Sequence, residues 1–152
     1  MQLYHTSPEE IKEINKDGRF GQFLFFSSEK YVMTAASDHV TYLLDLDEDQ
    51  AIEVNSFFYR EDSELLNEIV EEIQYIANCD EETAQNLLDA SDSIWNLDSV
   101  DDEDKADIDF DIQKLQGQAA KALGFRAAET ADEQGTVWIV DMLNREKDLI
   151  KI

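Results

Sequence analysis

Residues 129–141 constrain the fold most, because they predict two strands joined by a tight acidic turn. The returning strand is rich in Val, Ile and Trp, which favour strands, and Gly135 supplies the positive φ that such turns often need. The turn places Asp132 and Glu133 at the mouth of a sheet. Because successive strand residues face opposite sides, we expect only one of these carboxylates to enter a given pocket, and the sequence leaves open which. Taken alone, the same residues also suit an ordinary surface hairpin.

The net charge is the extreme feature of the composition, with 36 acidic residues against 12 basic ones and a formal charge of −24. Such a surface repels nucleic acid phosphates and attracts basic proteins, so direct binding of DNA or RNA is disfavoured. Mimicry of nucleic acid by the acidic surface stays open. The hydrophobic content of 43% over 152 residues indicates a folded chain, and we expect residues 1–152 to form one domain.

The cysteines, histidines and apolar runs argue against several classes of protein. Cys79 is the only cysteine, so no intrachain disulfide forms and a reducing compartment such as the cytoplasm fits. The chain shows no basic-then-apolar leader and no long apolar run, which argues against secretion and membrane spanning. Two His and one Cys disfavour a zinc site, and no acidic run has the spacing of a helix–loop–helix calcium loop. We therefore expect no metal.

Hydrophobic periodicity predicts an α+β fold, with short strands early and late in the chain and helices between them. Besides the hairpin, the predicted strands cover residues 2–5, 23–26, 40–46, 51–54 and 148–152. The predicted helices cover residues 62–77, 81–90 and 106–123. The last helix ends at Gly124, a typical C-cap residue, and leads directly into the hairpin. Residues 98–104 are expected to form an exposed acidic loop, pinned at one end by Trp95 and Leu97; it is either simply solvated or a docking surface.

The N-terminal strand leads to a second candidate site. Ser7 is expected to cap a short helix that begins at Pro8, so His5 and Thr6 lie where a strand ends and a helix begins. Backbone groups at such a junction are available to hold a ligand, although a single His there also fits a purely structural role. A further helix is expected after the aromatic strand, with Ser27 as its cap.

These candidate residues favour one kind of chemistry. The sequence contains no nucleophile elbow, and Cys79 has no obvious His partner. A carboxylate with aromatic walls suits a reaction whose transition state gains positive charge, because a fixed negative group stabilises the atom on which that charge develops. Cleavage of the glycosidic bond of a nicotinamide nucleotide is such a reaction, since its ribose becomes oxocarbenium-like. We treat this reaction as a hypothesis.

Four motifs resemble those of a known family. They are LYHTS at residues 3–7, FDIQKLQG at residues 110–117, LGF at residues 123–125 and DEQGT at residues 132–136. In order and spacing they are similar to the motifs LFHGS, WELQRLRG, LGY and DEHGT of the phage-encoded anti-CRISPR ADP-ribosyltransferases. These proteins act against type I-F surveillance complexes. Two departures stand out: Thr6 replaces the Gly of the family, and the acidic segment before the last helix is longer here.

The resemblance implies an α+β ADP-ribosyltransferase fold, in which two small sheets meet around a cleft for the co-substrate NAD and helices flank them. It implies that Asp132 is the catalytic carboxylate, which binds the nicotinamide ribose and steadies its oxocarbenium form, with Glu133 as the other candidate. His5 would contact the ribose on the adenosine side, and the backbone of Thr6 would hold the nicotinamide amide. The remaining NAD contacts implied by the resemblance are Ser7, Ser27 and Tyr31.

The resemblance also implies a target. In the family, it is an asparagine side chain on the subunit that reads the PAM, the short DNA motif beside the target, and its modification blocks DNA binding. A DNA-reading cleft is basic, so the acidic body fits this partner, in the cytoplasm of a bacterial host and without direct contact to nucleic acid or a membrane. Two alternatives stay open: a non-catalytic acidic DNA mimic that occupies a basic nucleic-acid site, and a transferase that modifies another host protein.

Overall fold

A computed structural model describes residues 1–7, 10–14, 22–29, 40–132 and 135–152, with only the backbone of Asp132. Its strands are β1 (Gln2–Ser7), β2 (Phe23–Phe26), β3 (Val40–Asp45), β4 (Ala51–Glu53), β5 (Ala127–Asp132), β6 (Gly135–Asp141) and β7 (Ile150–Lys151). Its α-helices are α1 (Asn67–Ala77), α2 (Glu81–Leu88) and α3 (Lys105–Ala122). The expected α+β class is confirmed.

The strands form two sheets, and each sheet carries one of the candidate site segments. The first has the order β1-β3-β7 and is antiparallel. The second has the order β2-β6-β5-β4, in which β4 and β5 are parallel and the other pairs are antiparallel. Tyr4 and Ser27 connect the sheets, because each donates its backbone N–H to the carbonyl oxygen of the other at 2.8 and 2.9 Å. Strand β1 therefore lies beside the end of β2.

The second sheet separates two hydrophobic cores, because successive strand residues alternate between its faces. Ala128 and Ile139 belong to the larger core, which also contains apolar residues of all three helices. Ala127 and Val140 belong to the smaller core together with Leu3 of β1. The smaller core thus packs one sheet against the other, on the side where β1 meets β2.

Several local sequence signals give the structure that they predict. The side chain of Asp80 accepts a hydrogen bond from the backbone N–H of Thr83 at 2.8 Å, which caps α2. Gly124 ends α3 with a φ of +91°, and Gly135 begins β6 with a φ of +124°. The predicted helix over residues 62–77 is α1, preceded by a turn of 3-10 helix at Ser63–Leu66.

Helix α3 approaches the second sheet closely at Gly117. A Cβ atom at this position would lie 2.7 Å from Cδ1 of Phe23 and 3.0 Å from Cγ2 of Ile139. The Phe23 ring is itself only 3% exposed, so the surrounding core leaves it little room to move. The close approach therefore requires the absence of a side chain at residue 117.

We predict that Gly117→Ala destabilises the protein by about 1–3 kcal/mol, because the new methyl group overpacks the core. This loss outweighs the roughly 1 kcal/mol by which Ala favours a helix over Gly. The urea midpoint of unfolding measures the effect, with Gln118→Ala on the exposed face of the same helix as a control that leaves it nearly unchanged. A midpoint for Gly117→Ala at or above that of the wild type contradicts the close packing.

The predicted helix after Ser7 is wrong for the residues that the structure describes. Ser7 is the last residue of β1, paired with Val40, and residues 10–14 contain no helix. The backbone N–H of Ile11 donates to the hydroxyl oxygen of Tyr42 at 2.8 Å. This N–H would donate to a backbone carbonyl within a helix, and here a side chain of the distant strand β3 accepts its hydrogen bond instead. Pro8 lies outside the described residues. The helix expected after Ser27 also lies outside them, from residue 30 onward.

The acidic loop over residues 98–104 is largely exposed as expected, but its predicted anchor Trp95 is wrong. Trp95 is 53% exposed, whereas its neighbour Ile94 is buried in the larger core. Leu97 packs against that core as predicted. In this 3-10 turn the smaller apolar side chain occupies the inward position, which the sequence could not distinguish from the outward one.

Candidate active site

His5 lies on β1 at the junction between the two sheets. Its Nδ1 is 2.7 Å from the carbonyl oxygen of Phe25, and its ring lies 5.6 Å from that of Phe26 at a tilt of 52°. A carbonyl oxygen only accepts hydrogen bonds, so Nδ1 must carry the proton, and in the neutral ring Nε2 is then the acceptor. Burial lowers the pKa of His5, and the weaker effect of the Phe25 hydrogen bond opposes it. His5 is therefore a neutral ring that presents an acceptor.

The other predicted N-terminal residues divide between the two faces of β1. Ser7 is buried on the same face as Leu3 and His5, because these residues alternate with Tyr4 and Thr6. The side chain of Thr6 therefore lies on the opposite face from His5. A contact of Thr6 with a ligand held at His5 would have to come from its backbone, as the resemblance implies.

The hairpin reaches the same end of the joined sheets as His5. The backbone of Asp132 pairs with Gly135 at the end of β5, and Phe26 pairs with Trp138 further along β6. Along β6, the three residues from Gly135 to Trp138 span about 10 Å, and across the sheet the two strand spacings from β2 to β5 also span about 10 Å. The Cα atoms of Asp132 and Phe26, at opposite corners of this square, are therefore roughly 14 Å apart. One extended ligand can span this distance.

The row of paired residues through Phe26 adds two side chains to the site. Trp138 pairs with Phe26 on one side and with Glu129 on the other, so the three share one face of the second sheet. The indole Nε1–H of Trp138 is buried and has no acceptor within residues 1–7, 10–14, 22–29, 40–132 and 135–152. Burial, followed by the nearby charge of Glu53, raises the pKa of Glu129. This face therefore holds an unpaired indole donor and a carboxyl group with a raised pKa.

A family model described as anti-CRISPR Type I-F ADP-ribosyltransferase AcrIF11 matches residues 1–147 of the chain. The chain belongs to this family. A solved crystal structure of an anti-CRISPR protein is similar over 100% of this chain and 95% of that chain, with 26% sequence identity and a TM-score of 0.58. A search of curated protein sequences finds no match. The resemblance seen in the four motifs is thus confirmed, and so is the fold that it implies.

Membership of this ADP-ribosyltransferase family defines the general reaction. The chain is an NAD-dependent protein ADP-ribosyltransferase, and the anti-CRISPR family acts on CRISPR–Cas complexes. The structure brings His5 and Ser27 to one junction, where the Ser27 hydroxyl donates to the carbonyl oxygen of Glu29 at 2.7 Å. Tyr31, Glu133 and the side chain of Asp132 lie outside the described part of the chain.

Trp138 and Glu129 are two further candidate site residues, and the sequence alone did not single them out. Both lie within residues 129–141, where the sequence alone indicates only that Trp138 favours a strand. Their relation to Phe26 depends on the pairing of β2 with β6, between residues more than 100 positions apart. Alternation along β5 and β6 was the available signal, because it places Glu129 and Trp138 on one face once the hairpin register is known.

The pKa of His5 makes the stability of this transferase depend on pH. Its folded-state pKa lies below the unfolded value, so the unfolded chain binds the extra proton first and stability falls as the pH drops below about 6.5. We predict that His5→Asn, which keeps a donor for Phe25, reduces the loss of unfolding free energy between about pH 7.5 and 5.5 by up to roughly 1 kcal/mol. Urea denaturation at both pH values measures this difference. An equal loss in both proteins contradicts burial of a neutral His5.

The exposed acidic residues and the helices bear on metal binding and on membranes. Within the described ranges, carboxylate oxygens of Asp101, Glu103 and Asp104 lie within 4.8 Å of one another, but all three side chains are exposed. Exposed acidic groups often cluster in this way without an ion, so nothing here assigns a metal centre. Among the helices of the described residues, none is both long enough and apolar enough to cross a membrane.

Proposed function

We propose that the chain binds NAD across the junction of its two sheets and transfers ADP-ribose to an asparagine side chain on the PAM-recognising subunit of a type I-F surveillance complex. The modified subunit no longer binds DNA, and the reaction takes place in the cytoplasm of the bacterial host. The observation that carries this proposal is the common end of the sheets at which His5 and the backbone of Asp132 lie.

The polar atoms at the junction fit a nicotinamide dinucleotide. The Nε2 atom of His5 is an acceptor for a ribose hydroxyl, and the buried indole N–H of Trp138 is a donor for a ligand oxygen. Phe26 of the smaller core lies beside the His5 ring, and Trp138 belongs to the same core. The backbone of Thr6 holds the nicotinamide amide in this proposal, and the remaining proposed contacts are Ser7, Ser27 and Tyr31.

The proposed reaction breaks the bond between ribose and nicotinamide, and the bonding electron pair leaves with the neutral nicotinamide. The nitrogen of the asparagine amide forms the new bond to the ribose carbon and loses one proton to a base. In this proposal the carboxylate of Asp132 stabilises the positive charge that develops on the ribose, because a fixed negative group lowers the energy of such a charge. Glu133 is the other candidate for this role.

The charge of the chain supports a basic protein target. With a net charge of −24, its surface attracts a basic DNA-reading cleft and speeds the encounter, an effect that salt screens over about 8 Å at physiological ionic strength. The same charge repels DNA and RNA, so the proposed partner is the protein subunit and neither nucleic acid nor a membrane.

Intact mass spectrometry of the surveillance complex tests the proposal. The complex is incubated with the protein in the presence and absence of NAD, and DNA binding is measured on the same samples. We expect the PAM-recognising subunit to gain one ADP-ribose only when NAD is present, and DNA binding to be lost only then. Peptide mapping should place the modification on an asparagine. Modification of another subunit or of another residue type contradicts the proposed acceptor.

The acidic DNA mimic predicts a different result in the same experiment. The extreme charge is the observation that favours it. A mimic blocks DNA binding without NAD, in proportion to its concentration, and leaves all masses unchanged. Incubation of host lysate with labelled NAD distinguishes the third possibility, because a transferase aimed at another host protein labels a band outside the surveillance complex.

A further inference from the structure

Two cavities adjoin at the end of β5, on either side of Ala90. The smaller has a volume of about 150 Å³ and lies against α3 and the segment that follows α2. The larger has a volume of about 310 Å³ and lies against the end of β4 and the start of β6. Both are lined by Ala90, Thr130 and Ala131, so we treat them as one acidic groove. His5, Phe26 and Trp138 line neither cavity, so the groove differs from the junction at His5 where NAD is proposed to bind, and Glu129 lies between the two.

Gln116 contributes an unpaired acceptor to the acidic groove. It lines the smaller cavity and is only 4% exposed. Its Nε2 donates to the carbonyl oxygen of Leu88 at 3.1 Å, whereas its Oε1 is buried and has no donor anywhere in the described chain. Buried amide oxygens are normally hydrogen-bonded, so this atom calls for a ligand that donates an N–H or O–H group. Gln116 lies in the helix motif at residues 110–117, to which the proposed function assigns no role.

The other polar residues of the acidic groove favour a cation. Asp92 and Asp109 line the smaller cavity, and Glu53, Asp89 and Glu129 line the larger one. Among the described residues that line either cavity, none is Lys, Arg or His. Glu53 and Glu129 are paired across β4 and β5, and this proximity contributes to the raised pKa of Glu129. A bound positive charge would relieve the repulsion between them.

We propose that the acidic groove binds an arginine side chain of the protein that this transferase modifies. Its guanidinium group donates to Oε1 of Gln116, and the surrounding carboxylates balance its charge. Arginine fits better than lysine because its planar group carries several N–H donors and is more weakly hydrated, which suits a site with several acceptors. This inference rests on the proposed function for the identity of the partner.

The position of the acidic groove gives the bound arginine a role in choosing the acceptor. Ala131 lines both cavities and directly precedes Asp132 in β5. A target segment that is anchored in the groove therefore lies beside the hairpin, where the proposed transfer takes place. The groove thus selects an acceptor asparagine that has an arginine near it. The small asparagine side chain alone offers too few contacts for such a selection.

Titration of the isotope-labelled protein with N-ethylguanidinium, in the absence of NAD, tests the site. We expect saturable NMR shifts of the Gln116 side-chain amide and of the backbone amides of Ala90, Thr130 and Ala131. Tetramethylammonium has the same charge but no N–H donor, and we expect it to bind at least about tenfold more weakly. Equal shifts with both cations, or no shift at these residues, overturn the proposal.

Two variants separate the hydrogen bond from the charge. Gln116→Leu keeps the size of the side chain and removes the acceptor, so guanidinium affinity should fall at least about tenfold. Glu53→Gln changes an exposed residue that the core does not need, so it remains informative if Gln116→Leu fails to fold, and we expect a several-fold weaker affinity. Unchanged guanidinium affinity in a folded variant overturns the role of that residue in the site.

Steady-state modification of the surveillance complex tests the partner. For both variants we expect the fold-increase in KM for the complex to be several times larger than the fold-change in kcat, because the arginine helps to bind the acceptor protein. An unchanged KM together with guanidinium binding assigns the groove to a free small cation and overturns the protein partner. If the complex is never modified, the proposed function fails, whereas the titration still decides whether the guanidinium site exists.

Discussion

Asp132→Asn should lower the rate of ADP-ribose transfer at least about 100-fold while the protein stays folded. The substitution keeps the shape of the side chain and removes the negative charge that would face the ribose as nicotinamide leaves. The backbone of the residue pairs with Gly135 at the end of β5, and Asn can keep this backbone pairing. The rate of NAD-dependent modification at saturating NAD measures the effect.

Two further variants make this result specific. Asp49→Asn removes one charge from an exposed carboxylate on a short 3-10 helix, and we expect an unchanged rate. Glu133→Gln tests the neighbouring candidate, which the sequence could not distinguish from Asp132. A full loss with Glu133→Gln and none with Asp132→Asn reverses the assignment of the two carboxylates. Wild-type rates in both variants contradict a catalytic role for the hairpin.

Ile139→Ala should destabilise the protein by about 2–5 kcal/mol, the largest effect on stability that we predict. Ile139 is fully buried on the central strand β6, where it pairs with Phe25 of β2 and with Ala128 of β5. Truncation leaves a cavity beneath α3 that the packed sheet cannot close. The shift of the urea midpoint, converted with the measured dependence on urea, gives the change in unfolding free energy.

Ile150→Ala is the matched control, because it makes the same chemical change on the exposed edge strand β7. Ile150 is 54% exposed, and we expect its truncation to change stability by no more than about 0.5 kcal/mol. Equal effects of the two substitutions would contradict the position of Ile139 between the helices and the sheet. Because the hairpin returns through β6, the same core also fixes the position of Asp132.

Local signals made much of the fold predictable from the sequence. Gly124 and Gly135 adopt positive φ where a helix end and a hairpin require it, and Asp80 caps α2. The cap expected at Ser7 failed because a distant group, the hydroxyl of Tyr42, binds the amide of Ile11. Sequence spacing carries no information about such a partner. The correct predictions therefore concern contacts within a few residues, and the errors concern contacts between distant segments.

For the candidate site, too, local features could be predicted from the sequence, whereas contacts between distant segments could not. The sequence indicated His5 and the hairpin separately, each from its own neighbours. Their common position depends on the bridge between Tyr4 and Ser27 and on the pairing of Phe26 with Trp138. Both depend on strand register between distant segments, which a single sequence does not encode in any local pattern. For this reason the motifs were sufficient to identify the family, whereas the indole of Trp138 became visible only in the folded chain.

Calorimetric titration of the protein with NAD tests most directly whether the junction of the two sheets is the NAD site. We expect the wild type to bind one NAD and His5→Asn to weaken the affinity at least about tenfold, because Asn can donate to Phe25 but has no atom in place of Nε2. Equally strong binding by both proteins, or no binding by the wild type, would rule out an NAD site that uses His5 at this junction.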